Sequence, residues 1–250
     1  GLELASDEGA LNRLIAESVG AEPSDVVGHD LMLHDLQGSA LGGMDKEFIF
    51  APRLDNQASC YTALEGLLAS TVGAPTAVCV VFDHEECGSQ SAHGGDGALL
   101  EHILRRIVST HEAQASGGFE RAAAASFMVS ADMAHALHPN YADQHDGHHK
   151  PLLGGGPVIK THINQQYATD GETSAIFRMA CEAVDVPVQE FVIRTDLRCG
   201  STIGPIASSN LAIRTVDVGS AMLSMHSIRE QAASIDVARM AAVKAHILSG

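Results

Sequence analysis

The chain has 250 residues, with 15 Lys and Arg against 31 Asp and Glu, for a formal net charge of −16. That balance has the wrong sign for displacing counterions from nucleic acid or for holding to an anionic membrane surface. Hydrophobic residues make up 45% and aromatics 4%, enough for a globular core of Ala, Val, Ile, Leu and Met in one large domain or two small ones.

The start, Gly1-Leu2-Glu3, has no basic region followed by an apolar stretch, so no signal peptide is expected. The absent Met reads as a processed or truncated piece of something longer. Residues 1–56 carry 11 acids and three bases, half of the net charge. Residues 7–19 read as an amphipathic helix with Leu11, Leu14, Ile15 and Val19 on one stripe. A short extended piece, Phe48–Ala51, leads into a helix over Asn56–Ser70. Thr76–Phe82 is a continuous apolar run, the pattern of a strand buried on both faces. Gly97–Ser109 reads as a helix, Ser126–Ser130 and Pro157–Thr161 as strands, and Glu172–Val184 as a helix. Val188–Arg194 and Ile213–Val218 read as strands, and Ser227–Leu248 as a long closing helix. The alternation predicts an α/β fold, with a mixed, largely parallel central sheet flanked by helices. Two long loops, Ala134–Gly156 and Arg198–Ser209, are rich in His and Gly or in Gly and Ser. Long loops of this kind usually hold sites. No apolar run approaches the roughly 20 residues that span a bilayer. Five Cys at irregular spacing make no disulfide framework and fit a reducing, cytoplasmic setting.

Four places present an acid or a His at a strand end or in the turn beyond it. Asp83-His84-Glu85-Glu86-Cys87-Gly88 follows the apolar run. An isolated Glu-Glu pair is more often a solvated turn, yet one carboxylate could meet a metal and the other its water. Asp55, in Arg53-Leu54-Asp55-Asn56, could bridge two ions, although taken alone it reads first as a helix cap. Asp132 follows the Ser126–Ser130 strand, and His226 lies before the closing helix. Together, carboxylates and imidazole at one sheet edge suit Zn²⁺, Mn²⁺ or Co²⁺. The spare Glu would then serve as general base.

Taken in order, Arg53–Asn56, Asp83–Ser89, Ser130–Asn140, Gly155–Lys160, Gly200–Pro205 and Met225–Glu230 closely resemble the aspartyl aminopeptidase family of metallo-aminopeptidases. The resemblance runs over essentially the whole chain. It implies a zinc-aminopeptidase catalytic fold and two divalent ions, zinc by preference. It implies that Asp55 bridges the ions, that Glu86 and His226 hold one, and that Asp132 holds the other. Glu85 becomes the general base for a water bridging the ions. Lys160 becomes the cation receiving an acidic N-terminal side chain of a peptide substrate. His135, Tyr167, Gly200 and Ser201 fall near the substrate. The Lys160 role also has independent physical sense, because a chain at −16 repels anions and needs a local positive group. The other His residues and Cys87 and Cys199 read as surface or packing groups.

The family pattern has a further His ligand upstream, in a His-Thr-Asp-type motif, and nothing before Asp55 matches it. Residues 1–37 look like the end of the family's inserted oligomerisation domain, and residues 38–250 like a catalytic domain incomplete at its N-terminal side. A large homo-oligomer, a dodecamer in the family, is implied for the whole protein. Three readings stay open: an acidic-residue aminopeptidase, a broader metallo-aminopeptidase or deacylase, and a non-catalytic assembly module.

Overall fold

The computed structural model describes residue 7 and residues 9–73, 75–111 and 116–250. They fall into two units, Gly1–Gln37 and Gly38–Gly250. In the first, α1 (Ala10–Val19) occupies most of the predicted amphipathic helix, of which Glu8 lies outside the described residues. Gly20 stops it in left-handed backbone at φ 71. Leu11, Leu14 and Val19 of the predicted stripe are exposed, as are Leu31, Met32, Leu33 and Leu36 further on.

The second unit runs β1 (Ala40–Gly42), β2 (Phe48–Ala51), α2 (Leu54–Ala69), α3 (Leu99–His111), α4 (Gly118–Ala125) and β3 (Phe127–Ala131). It continues with β4 (Ala134–His135), β5 (Val158–Thr161), α5 (Gly171–Ala183), β6 (Gln189–Val192), α6 (Ile203–Leu211) and β7 (Arg214–Gly219). It closes with β8 (Ala221–Leu223), β9 (Glu230–Ala233) and α7 (Ser234–Ser249). The predicted sheet is the four-stranded one, in order β3-β7-β5-β6. β3 and β7 are parallel, β5 and β6 are parallel, and β5 and β7 are antiparallel. A second sheet, β1-β2-β9-β8-β4, is antiparallel except for the β4–β8 pair. The sequence pattern did not reveal it, because its strands are two to four residues long.

Ile159, Val216 and Val218 of the first sheet pack on Phe177, Ala180 and Cys181 of α5 and on Met240 and Val243 of α7. Full burial of each large apolar side chain is worth about 1.5–3 kcal/mol, so this layer is a main source of cohesion. α2 packs against α7, while its Tyr61, Leu64 and Leu68 are exposed.

Two expectations need correction. Thr76–Phe82 is not a strand: it takes no regular secondary structure, and Val78, Val80 and Val81 are 38%, 40% and 62% exposed. Among the described residues no backbone ladder forms along it, and β3, an edge of its sheet, pairs only with β7. An apolar run becomes a buried strand only where neighbours complete its hydrogen bonds and cover its faces. Phe82 turns inward, onto a cluster of Leu100, Ala207, Leu211 and Ile213, while Ala77 and Cys79 are half-buried. The closing helix begins at Ser234 rather than Ser227, because Glu230–Ala233 pairs with β2 and β8.

Candidate metal centre

Asp55 lies in the first turn of α2, four residues beyond β2, with its side chain 5% exposed. Glu85 and Glu86 sit in the single turn Glu85–Cys87. Asp132 follows β3 directly, and His226 lies in the turn between β8 and β9. The His226 Nε2 stands 2.9 Å from Asp55 Oδ2 and 3.1 Å from Glu86 Oε2. Ligand atoms of Asp55, Glu86 and His226 all lie within 4.8 Å of one another, the one such group of three among the described residues.

The backbone around this cluster is strained. Arg53 (φ 57), His84 (φ 59), Ser224 (φ 59) and His226 (φ 65) are all left-handed without being Gly. Each such residue stores about 1–3 kcal/mol, and such strain gathers where a site dictates the chain's course.

The electrostatics are those of crowded acids. Burial pushes the Asp55 carboxyl up to about 8, and the neighbouring charges of Asp132, Glu86 and Glu230 add to it. Burial likewise raises Glu85 to about 7, reinforced by Asp132 and Glu86. Burial works against ionisation of Asp132, but the Lys160 ammonium together with hydrogen bonds from Asp55, Lys160 and the Met133 N–H outweighs it and holds that group below its ordinary value. The Asp55 Oδ1 and Asn56 Oδ1 atoms are buried with no hydrogen-bond partner. Buried oxygens are normally satisfied, so an orphaned carboxylate oxygen beside other carboxylates calls for a cation. The donor set of carboxylates and imidazole fits zinc.

Lys160, on β5, is 2% exposed. Its Nζ lies 3.1 Å from Asp132 Oδ2, donates to Met133 O at 3.2 Å and stands 5.1 Å over the Tyr167 ring. Tyr167 is buried edge-on to Phe191, and burial together with the Cys199 thiol pushes its phenol up. His135, on β4, is lowered by desolvation and by the Lys160 charge. The structure therefore gathers Asp55, Glu85, Glu86, Asp132, His226 and Lys160 into one electrostatic neighbourhood. Ser201 is different: its Oγ donates to Gln166 O at 3.2 Å. No hydrogen bond joins Gly200 or Ser201 to the acid cluster among the described residues.

Of the buried acids Asp217, Glu230 and Asp236, none was given a role by the sequence reading, and two bear on the site. Glu230 accepts the backbone N–H of Asp55 at 3.0 Å and that of His226 at 2.7 Å. Asp217, fully buried on β7, accepts from Ser130 Oγ (2.6 Å), Thr202 Oγ1 (2.7 Å) and the Ala168 N–H (2.6 Å). Register alone puts it beside Ser130. A Cβ on Gly204 would collide with its carboxylate, so only Gly allows the first turn of α6, a helix where a loop was expected over Arg198–Ser209, to come this close. The available signal for Asp217 was an acid inside the apolar strand Thr215-Val216-Asp217-Val218.

Over residues 4–246 the chain matches the family described as aminopeptidase I zinc metalloprotease (M18). The chain belongs to the M18 family. It is 48% identical over 240 residues to a probable M18 family aminopeptidase 2 of Ectopseudomonas mendocina, covering 94% of this chain and 54% of that protein. A chain in the cryo-EM structure of the Ape4 and Nbr1 complex superposes with a TM-score of 0.89 at 36% identity, covering 99% of this chain and 51% of that one. The mature Ape1 dodecamer of S. cerevisiae gives 0.82 at 32% identity, covering 95% and 54%. The chain thus spans about half the length of the curated M18 relatives it matches. The fold is the one M18 aminopeptidases share, and the family's zinc dependence agrees with the carboxylate–imidazole donor set.

Proposed function

We propose that this chain carries the metal-binding and proton-shuttling part of an M18 aminopeptidase that releases acidic N-terminal residues from peptides. The observation that supports it most is the convergence of Asp55, Glu86 and His226 within 4.8 Å of one another. Asp55, Glu86 and His226 would hold one zinc ion, and Asp55 with Asp132 would serve a second. Bound zinc supplies a Lewis acid for the scissile carbonyl and brings the pKa of water toward about 7. Glu85, beside Glu86 in the same turn, would accept a proton from the attacking water and return it to the leaving amine.

Lys160 is the acid-selecting group in this reading. Asp132 and Met133 O occupy two of its three donors, which leaves one N–H for a substrate carboxylate. Tyr167 floors that position, and His135 and the Gly200–Ser201 loop border the substrate. Residues 1–37 are the end of an oligomerisation insert, a reading supported by their exposed Leu31, Met32, Leu33 and Leu36 and by the dodecamer of the S. cerevisiae relative. A cytoplasmic location is supported by five free cysteines. No helix among the described residues is long and apolar enough to cross a membrane.

A narrower reading concerns the chain alone. With one three-ligand group among the described residues, a second zinc lacks an imidazole, so residues 1–250 alone have little activity. The test is metal content and hydrolysis of an Asp-anilide. Wild type and Glu85→Gln should each bind zinc at the first site, and Glu86→Gln should lose it. In a form completed to the length of its relatives, Glu85→Gln should abolish turnover, and Lys160→Ala should slow Asp far more than Leu substrates. Wild-type zinc affinity in Glu86→Gln overturns the ligand assignment. Robust hydrolysis by residues 1–250 at two metals per chain overturns the narrower reading.

A further inference from the structure

Glu230 is 1% exposed, on β9 between β2 and β8. Its two oxygens are divided between two segments. Oε2 accepts the Asp55 N–H at 3.0 Å, and Oε1 accepts the His226 N–H at 2.7 Å. Asp55 and His226 lie 171 residues apart in sequence. No side-chain ion pair to Glu230 is present among the described residues. A buried carboxylate without a counter-charge is costly, and here only backbone N–H groups answer it. The recipients are telling, since both belong to proposed zinc ligands. His226 is also one of the residues in left-handed backbone, at φ 65, and its N–H is the one Glu230 holds. Charge-assisted hydrogen bonds of this kind keep an unfavourable backbone angle in place.

We infer that Glu230 is a positioning residue for the metal centre. It clamps the two peptide units that carry Asp55 and His226, so that side chains from opposite ends of the unit converge on one point. Its carboxylate belongs to the acid cluster of Asp55, Glu86 and Asp132, beside which Lys160 is a cation. Glu230 itself touches neither metal nor substrate. The inference rests on the zinc reading above, because the clamp serves that site.

The competing explanation is that Glu230 only braces a turn. Two variants separate the two, with zinc affinity measured by chelator competition on the full chain and the absorption of the Co²⁺-loaded form as a second readout. Glu230→Gln keeps the shape but turns an NH₂ toward one of the two N–H groups. Glu230→Asp keeps the charge but is too short to span both. The clamp predicts a 10- to 100-fold loss of zinc affinity in both variants and a shifted Co²⁺ spectrum, the size seen when groups behind metal ligands are removed. Unchanged zinc affinity and Co²⁺ spectrum with a lower apo melting temperature means a turn brace and overturns the inference. A loss in Glu230→Gln alone means a charge effect without positioning and also overturns it. Absence of zinc binding in the wild type removes the zinc reading and this inference together. Should both variants fail to fold, amide exchange in the wild-type apo chain decides. Slow exchange at Asp55 and His226 is expected, and loop-like rates at either amide overturn the clamp.

Discussion

Removing the Asp217 carboxylate should unlock three segments at once. Ser130 of β3, Thr202 just before α6 and the Ala168 N–H all donate to it inside a fully buried site. Hydrogen bonds to a charged group contribute about 1.5–3 kcal/mol each, and Asp217→Ala leaves three donors without an acceptor. Such losses are not additive, so we expect a destabilisation of about 4 kcal/mol rather than the full sum. For a chain of this size that corresponds to a melting temperature lower by about 8–16 °C. Asp217→Asn should be far milder, at about 1–2 kcal/mol. The Asn oxygen can face the Ala168 N–H, which has no alternative role. Its NH₂ then faces the Ser130 and Thr202 hydroxyls, which can rotate to accept. Urea unfolding followed by circular dichroism reads both variants, with equal slopes required for the comparison. An Asp217→Ala midpoint within about 1 kcal/mol of wild type, or an Asn variant worse than Ala, refutes the reasoning.

Lys244 makes a prediction of opposite sign. Burial drops its pKa to about 8, and among the described residues its Nζ donates to Ser59 O and Thr62 Oγ1. A base depressed in the folded state contributes stability above its unfolded pKa and loses it as pH falls through the folded value. The chain should therefore lose stability from about pH 10 down to about pH 8, and Lys244→Met should flatten that slope and raise the melting temperature at pH 7. A lower melting temperature for the Met variant contradicts this. Zinc affinity should rise with pH up to about 8, because the proton on Asp55 must leave before the ion enters. Calorimetry in two buffers of different ionisation enthalpy should show proton release on binding at pH 7, and none contradicts the raised Asp55.

Much of the first sheet was legible because β5, β7 and α5 bury residues in the pattern that local periodicity encodes. Val158 and Ile159 on β5 and Val216 and Val218 on β7 are buried apolar residues whose strands find neighbours on both sides. Thr76–Phe82 carries the same signal without a partner strand, and periodicity reports only what a segment could bury. The ligand-bearing turns were legible through short motifs in fixed order. Glu230 and Asp217 were not, since their roles come from hydrogen bonds to backbone and hydroxyls brought in from distant positions. α6 was hidden because Gly204 and Pro205 sit in its first turn, where a helix tolerates Pro but a sequence reading sees a break.

The open side of α2 and the unpaired Val78–Val81 stretch bear on how the chain behaves in solution. Tyr61, Leu64, Leu68, Val80 and Val81 are exposed apolar side chains, of the sort that drive proteins together where they gather. Opposing them is the −16 charge, a repulsion that reaches only about 8 Å at physiological ionic strength. Colloidal stability is thus held by electrostatics rather than by a covered core. Added salt, ordinarily harmless to an acidic domain, should be the condition that brings these molecules out of solution.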